Sequence, residues 1–426
     1  MKIISSVKGM NDIMPEETAY WNMVENIWYK VIKSYCYDEV RTPVLENLEL
    51  FYSSIGQQTD IVSKELFTFS DRNNINIALR PEGTASCVRS IINNNLLYNG
   101  TQRVWYKGNM FRYENTQKGR YRQFNQIGIE ALGFKSTDIE IEQISIVNRF
   151  FKEIFITDIH LEINSIGSKS TREKYKTKLV EYLNSYDHLF DNNTKKQLRY
   201  NPLRILDSKN IEIKNILKKA PLISTFYTKS EIKNLEVIET FLQDNNIKYI
   251  KNPHLVRGLD YYNDFVFEFV SKNLGSQGAI CAGGRYDNLV KNISKGKMDV
   301  KCFGCAIGLE RVMLLLDKNK FEKEGIDIFF ASIGDKARKK AFFLSETLKN
   351  NLKNIKIFFH LGDESENKQI KKAQKLKANF ICIISDYDIL QKNLLIISLK
   401  NSLQKYRVKW KDFNNFFHKR ISKNDH

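Results

Sequence analysis

Residues 110–134, MFRYENTQKGRYRQFNQIGIEALGF, hold the side chains best suited to chemistry. With the two-residue period of a strand, Phe124, Gln126, Gly128 and Glu130 share one face, and Asn125, Ile127, Ile129 and Ala131 share the other. The apolar face suits burial, which leaves the polar face as a floor for a ligand. Upstream, Met110, Arg112 and Glu114 share a face of a second extended run, and Asn115–Tyr121, with Gly119, joins the two as a hairpin. Guanidinium forks donate to anions and carboxylates accept from cations, so the chemistry on offer is the gripping of a charged ligand. A solvated sheet face with scattered charges has the same pattern, and this segment alone leaves both readings open.

The elements that must position these residues are legible from spacing. Residues 16–35 carry Val24, Ile27, Trp28, Val31 and Tyr35 at helical intervals after Pro15, which predicts an amphipathic helix. An extended segment, Tyr37–Leu45, follows; Pro43 confines it to a sheet edge, where a second subunit could meet it. Segment 61–80 reads as a hairpin around Asp71-Arg72-Asn73-Asn74. It leads into Leu79-Arg80-Pro81-Glu82-Gly83-Thr84 and a helix from about Ala85 to Asn95, with Pro81 and Gly83 fixing a turn that holds Glu82 at its centre. Between about 168 and 250 the texture changes to charged helical stretches, Ser170–Tyr186 and Ser230–Asn246, which predict an inserted helical subdomain. Extended segments return at Tyr249–Leu255, Val256–Tyr262 and Phe265–Val270. A glycine-rich run, Gly275–Gly284, follows, and then an apolar strand from Phe303 enters a helix with Arg311 near its start. From Ile326 the order is strand, helix, strand, helix, strand, strand, an α/β unit of its own beyond a linker near Asp317–Gly325.

Composition bounds the class. With 426 residues, 42% hydrophobic and 12% aromatic, the chain can build two or three cored domains. No apolar run reaches membrane-span length and the first residues lack the apolar stretch of a signal peptide, which predicts a cytoplasmic protein with no membrane partner. The six cysteines are scattered, and Cys302-Phe303-Gly304-Cys305 has no second pair to complete a metal site; no metal ligand is assigned. The six histidines do not cluster, so histidine-based catalysis has little support. The formal charge of +18 points to a polyanionic partner, although an A/T-biased genome also enriches Lys, Asn and Ile. The charge is concentrated: residues 326–426 hold 21 Lys and Arg against 10 Asp and Glu, a distribution that favours a nucleic-acid face there. Lys368, Lys371, Lys372 and Lys375 line one helix face in this segment, which suits either solvent or RNA.

Assembled, these pieces closely resemble histidyl-tRNA synthetases of the bacterial type, a family of class II aminoacyl-tRNA synthetases. The helix 16–35 with the Pro43 strand resembles the class's first, dimer-forming motif, Phe111-Arg112-Tyr113-Glu114 with its return strand the second, and Gly308-Leu309-Glu310-Arg311 the third. Two further stretches resemble peptides particular to the histidine family: Leu255-Val256-Arg257-Gly258-Leu259-Asp260-Tyr261-Tyr262 and Ala282-Gly283-Gly284-Arg285-Tyr286-Asp287. The resemblance covers nearly the whole chain. It implies an α+β fold: an antiparallel-sheet catalytic core over 1–320, with a helical insertion at about 170–248, and a C-terminal α/β anticodon-binding domain over 326–426.

The resemblance also implies an activity, with L-histidine, ATP with Mg2+, and tRNA(His) as partners of a homodimer. Arg112 and Arg257 are the catalytic cations at the α-phosphate. ATP falls to Arg112, Glu114, Arg120, Arg122 and Arg311, with Phe124 stacked on the adenine. Histidine falls to Glu82, Thr84 and Gln126 at its ammonium, Glu130 at its imidazole N–H, Tyr261, Tyr262 and Tyr286 at the polar end, and Arg112 and Arg257 near its carboxylate. Asn115, Gln117 and Lys118 are the loop residues facing the tRNA acceptor end. Asn115 stands where many relatives carry Arg, which implies weaker discrimination for the extra 5′ guanosine of tRNA(His). Asn109, Asn125 and Cys305 also depart from the usual pattern, at positions expected to stay clear of the chemistry. Two rivals share the core: a catalytically silent regulatory subunit of histidine biosynthesis, and a nucleic-acid-binding accessory protein. The first usually lacks the Arg257 peptide and the C-terminal domain; intact Glu82, Arg112, Glu130, Arg257 and Arg311 argue against the second.

Overall fold

The computed structural model describes residues 4–56, 59–208, 210–321, 325–400 and 403–421. The chain divides into two compact units, Met1–Lys320 and Phe321–His426. In the first, helix α1 (Pro15–Ser34) buries Trp21, Val24, Trp28, Val31 and Ile32, a stripe at helical spacing, with Pro15 in the first turn where an N–H has no intrahelical acceptor. The segment expected as one extended run at 37–45 instead gives two short strands in different sheets. Strand β1 (Asp38–Glu39) lies at the edge of a large sheet, and β2 (Leu45–Asn47) joins a three-stranded one, with Pro43 between them where its missing N–H breaks no ladder. Helix α2 (Leu48–Ser54) follows, and then the hairpin β3 (Thr68–Ser70) and β4 (Asn76–Leu79). Asp71 turns this hairpin, accepting from the N–H groups of Asn73 and Ile75 at 2.8 Å each.

Helix α3 (Thr84–Asn93) precedes the long hairpin β5 (Gln102–Phe111) and β6 (Gln123–Leu132), whose register sets Met110 opposite Phe124 and Tyr106 opposite Gly128. Ile127, Ile129 and Ala131 are fully buried, as the alternation predicts. The first arm ends at Phe111, so Arg112 and Glu114 stand in the connecting loop and not on a strand; the loop's neck is closed by the Arg112 N–H donating to the Arg122 carbonyl at 2.9 Å. Helix α4 (Asp138–Glu153) and strand β7 (His160–Ser165) lead into the helical insertion, α5 (Lys169–Asn184), α6 (Asn192–Tyr200), α7 (Ile211–Leu217) and α8 (Lys229–Asp244). The chain then returns as β8 (Tyr249–Lys251), β9 (Asn263–Val270), β10 (Ala279–Arg285), α9 (Asn288–Ile293), β11 (Cys302–Gly308) and α10 (Leu309–Leu315). Residues 256–262, read from sequence as extended, form a loop outside any ladder. The large sheet runs β1-β5-β6-β11-β10-β9-β7-β8, antiparallel from β5 to β7, with β1 and β8 added parallel at its two edges.

The second unit has the sheet order β13-β12-β14-β15-β16, built from β12 (Ile328–Ile333), β13 (Ile357–Phe359), β14 (Phe380–Ser385), β15 (Asn393–Ser398) and β16 (Lys405–Lys409). Helices α11 (Asp335–Asn351), α12 (Glu366–Lys375), α13 (Asp386–Gln391) and α14 (Phe413–Ile421) accompany it. Strands β13, β12 and β14 are parallel, and their crossovers through α11 and α12 cover both faces. Phe330, Leu348, Ile384, Phe413 and Phe417 form one core, and Phe329, Ala373 and Ile381 the other. Lys368, Lys371, Lys372 and Lys375 all stand exposed on α12. No helix among the described residues is long and apolar enough to cross a membrane.

Candidate active site

A cavity of about 260 Å³ opens on the large sheet of the first unit, lined by the β5–β6 loop, strands β6, β10 and β11, the start of α10 and the 256–262 loop. One end is built by the turn before α3. Glu82 is 2% exposed, and its two carboxylate oxygens accept from the N–H groups of Thr84 and Ala85 at 2.7 and 2.8 Å, donors that the first helical turn leaves without partners. Burial pushes its pKa up, and the two backbone donors and Arg112 pull against that. Gly83 and Gly128 are required here for space: a Cβ would lie 2.1 Å from the Tyr106 ring at the first and 2.2 Å at the second. Tyr106 thus sits clamped between two glycines, and Gln126 Oε1 accepts from the Gly83 N–H at 3.1 Å and from the Tyr106 hydroxyl at 3.4 Å.

The other end is cationic. Arg112 donates from Nε to the Pro81 carbonyl at 2.9 Å and holds its guanidinium 5.3 Å from the centre of the Phe124 ring. Arg120 pairs with Glu114 at 3.1 Å. Arg311, in the first turn of α10, donates to the carbonyls of Gly119 and Ala279. Its pKa is lowered, first by burial and then by the neighbouring charges of Arg120 and Arg112. Three guanidinium groups held together against their own repulsion are poised for an anion.

Arg257 reaches the same cavity from the 256–262 loop. It forms an ion pair with Glu268 of β9 and lies 5.5 Å over the Tyr262 ring. Tyr261 packs 4.6 Å from Tyr262, its ring and hydroxyl buried in the cavity wall. Thr84, Phe124 and Gln126 complete the predicted residues in the wall.

Other predicted residues lie elsewhere. Glu130 and Tyr286 lie outside the cavity wall, 0% and 1% exposed. The Glu130 carboxylate accepts from Thr84 Oγ1 at 2.7 Å and from the Tyr286 hydroxyl at 2.5 Å, and burial pushes its pKa up to about 8. It packs so closely on β11 that a Cβ at Gly304 would fall 1.7 Å from its Oε2. Arg122 lies off the cavity wall, stacked 3.8 Å over Tyr113. Asn115, Gln117 and Lys118 are exposed on the β5–β6 loop. Sequence reasoning did not single out Glu268, Glu310 or Cys281, all in the wall. Glu310 accepts from Asn125 through both its N–H and its Nδ2, at 2.8 and 3.0 Å, and burial raises its pKa to about 6. Asn125, expected to stay clear of the chemistry, is therefore one hydrogen bond from the cavity.

A buried carboxylate at Glu82, a cluster of arginines and the Phe124 ring on one antiparallel sheet fit the architecture of a class II aminoacyl-tRNA synthetase. The family model for histidyl-tRNA synthetase matches residues 9–312. The chain is 45% identical over 403 residues to a histidine–tRNA ligase of Buchnera aphidicola subsp. Schizaphis graminum, covering 94% of each chain. It is 42% identical over 391 residues to that of Marinomonas sp., covering 91% of this chain and 92% of the relative. The apo crystal structure of the S. aureus histidyl-tRNA synthetase superposes with a TM-score of 0.81 at 29% identity, covering 97% of this chain and all of the other. The chain belongs to the histidyl-tRNA synthetase family.

Proposed function

We propose that the chain activates L-histidine with ATP and transfers it to the 3′ end of tRNA(His). The observation that carries this reading is the meeting of Arg112 and Arg257, from a class-wide motif and a histidine-specific peptide, in one cavity with the Glu82 pocket. In the first step the histidine carboxylate attacks the α-phosphate of ATP and pyrophosphate leaves. In the second, a ribose hydroxyl of the terminal nucleotide attacks the adenylate carbonyl and AMP leaves. Neither step needs a protein nucleophile; the chain supplies alignment and charge.

Each role follows from position. Arg112, fixed through Nε to Pro81, keeps its remaining N–H groups for the α-phosphate and the attacking carboxylate. Arg257, balanced by Glu268, shares its charge with the α-phosphate as negative charge builds there. Arg120 and Arg311, with Glu114, take the outer phosphates and the adenine edge, and Phe124 stacks on the base. Glu82, Thr84 and Gln126 receive the ammonium of histidine. Tyr261 and Tyr262 face its ring, with the Tyr261 hydroxyl available to the imidazole. Glu130 and Tyr286 act from behind Thr84, fixing its hydroxyl.

Mg2+ enters with ATP. Glu114, Glu268 and Glu310 line the cavity, and no group of three or more ligands among the described residues forms a cage of its own. That donor set fits an ion carried on the phosphates with one or two protein carboxylates, where it neutralises phosphate charge. The basic Phe321–His426 unit reads the anticodon, and the exposed Asn115, Gln117 and Lys118 meet the acceptor end. The edge strand β1 and helix α1 take part in a homodimer contact, and the compartment that fits these substrates is the cytoplasm. Charging of a tRNA(His) transcript with labelled histidine tests the reading. It should require ATP and this tRNA; a folded protein that charges no tRNA with histidine would overturn it.

A further inference from the structure

The 256–262 loop carries Arg257, Leu259, Tyr261 and Tyr262 into the active cavity, yet it belongs to no sheet ladder. Behind it lies a second cavity of about 250 Å³, lined by Arg172, Lys176 and Arg204 of the helical insertion together with Arg257, Asp260 and Tyr262 of the loop. Leu255, Tyr261 and Tyr262 pack into the hydrophobic core, and the loop's backbone is also held at points that face this second cavity. Two of those points are guanidinium-to-carbonyl hydrogen bonds from the insertion. Arg172 Nη1, in the first turn of α5, donates to the Tyr262 carbonyl at 2.6 Å, and Arg204 Nη2 donates to the Gly258 carbonyl at 2.8 Å. Around the second, Asn201 Nδ2 donates to Asp260 Oδ1 at 2.9 Å, and Arg204 lies 3.8 Å from the same oxygen.

We infer that Arg172 and Arg204 are positioning residues for the reaction, through which the helical insertion holds the 256–262 loop in its working shape. Arg172 sets the backbone of Tyr262, which faces histidine. Arg204 sets the Gly258–Leu259 peptide, one residue past Arg257, which faces the phosphate. A residue acting on Tyr262 governs substrate affinity, and one acting beside Arg257 governs the chemical step, so the two arginines have separable effects. Gly258 itself has open space where a Cβ would stand, so its own position is not fixed by packing around it.

The test is histidine-dependent ATP–pyrophosphate exchange by full-length protein, normalised to the folded fraction. Loss of a charge-assisted hydrogen bond predicts, for Arg172→Gln, a histidine KM raised roughly tenfold to a hundredfold, with Arg172→Lys recovering much of it. Arg204→Gln should lower kcat by a similar factor at little cost in KM. Lys176→Gln, which removes a cation from the same cavity and no bond to the loop, should match wild type. Unchanged kinetics in both arginine variants, or losses that merely follow the folded fraction, would overturn the proposal. Should Arg172→Gln fail to fold, Arg204→Gln decides alone. The inference rests on the histidine-activating reading: absence of exchange in wild type would defeat that reading, whereas equal exchange in wild type and variants would defeat only this one.

Discussion

Glu130→Gln should change how stability depends on pH while leaving the floor of the cavity intact. Gln is isosteric, and it can accept from Tyr286 through its carbonyl and donate to the Thr84 hydroxyl through its amide. In the wild type the carboxyl ionises near pH 8 when folded, against an ordinary value of 4.5, because burial disfavours the charge more than Tyr286 and Thr84 support it. The folded state therefore keeps a proton that the unfolded chain releases. Its stability contribution is full below about pH 4.5 and is lost as pH rises toward about 8. A difference of about 3.5 pH units, at roughly 1.4 kcal/mol each, amounts to about 5 kcal/mol across that window. The variant has no such proton, so its advantage over wild type should grow by that order between about pH 5 and about pH 9. Urea unfolding followed by tryptophan fluorescence reads this out, since Trp21, Trp28 and Trp105 all lie in the first unit. Parallel pH profiles for the two proteins would refute the reasoning, because Glu130 would then titrate alike in both states.

Arg257→Ala should cut exchange by about a hundredfold to a thousandfold, the effect of losing one preorganised donor at the developing charge, while calorimetry still detects histidine binding. Loss of binding together with turnover would make Arg257 structural through its Glu268 pair. Phe124→Ala should raise the ATP KM by roughly fivefold to a hundredfold, from about 1–3 kcal/mol of base stacking, and leave the histidine KM near wild type. Asn115→Arg should sharpen the preference for tRNA(His) bearing the extra 5′ guanosine, compared on transcripts with and without it; an unchanged ratio would take Asn115 out of acceptor recognition.

Much of this architecture was legible because burial and periodicity agree. Helix α1 declares itself through Val24, Trp28 and Val31, and β9 through Phe265, Phe267 and Phe269, all buried. The 256–262 segment misled for a physical reason: Leu259, Tyr261 and Tyr262 line a cavity, and their apolar content imitates a strand. Helix α13 escaped notice because it is six residues long and leaves Tyr387 and Leu390 exposed. Strand β16 was missed because it is a charged edge strand that buries only Val408. At the site, Arg112, Glu82 and Arg257 were readable from their motifs, whereas Glu268 was masked by the phenylalanines alternating with it. An acid on the face opposite the phenylalanines of an apolar strand was the available signal. The enclosure of Glu130 was not legible, since it depends on Thr84 and Tyr286, 46 and 156 residues away.

The most direct measurement is ATP–pyrophosphate exchange by the purified chain with each of the twenty amino acids in turn. Exchange that depends on histidine, with the others at background, is the result expected from the Glu82 pocket and the arginine cluster in one cavity. A folded protein that binds histidine yet exchanges no pyrophosphate with any of them would contradict the account and favour the silent regulatory role.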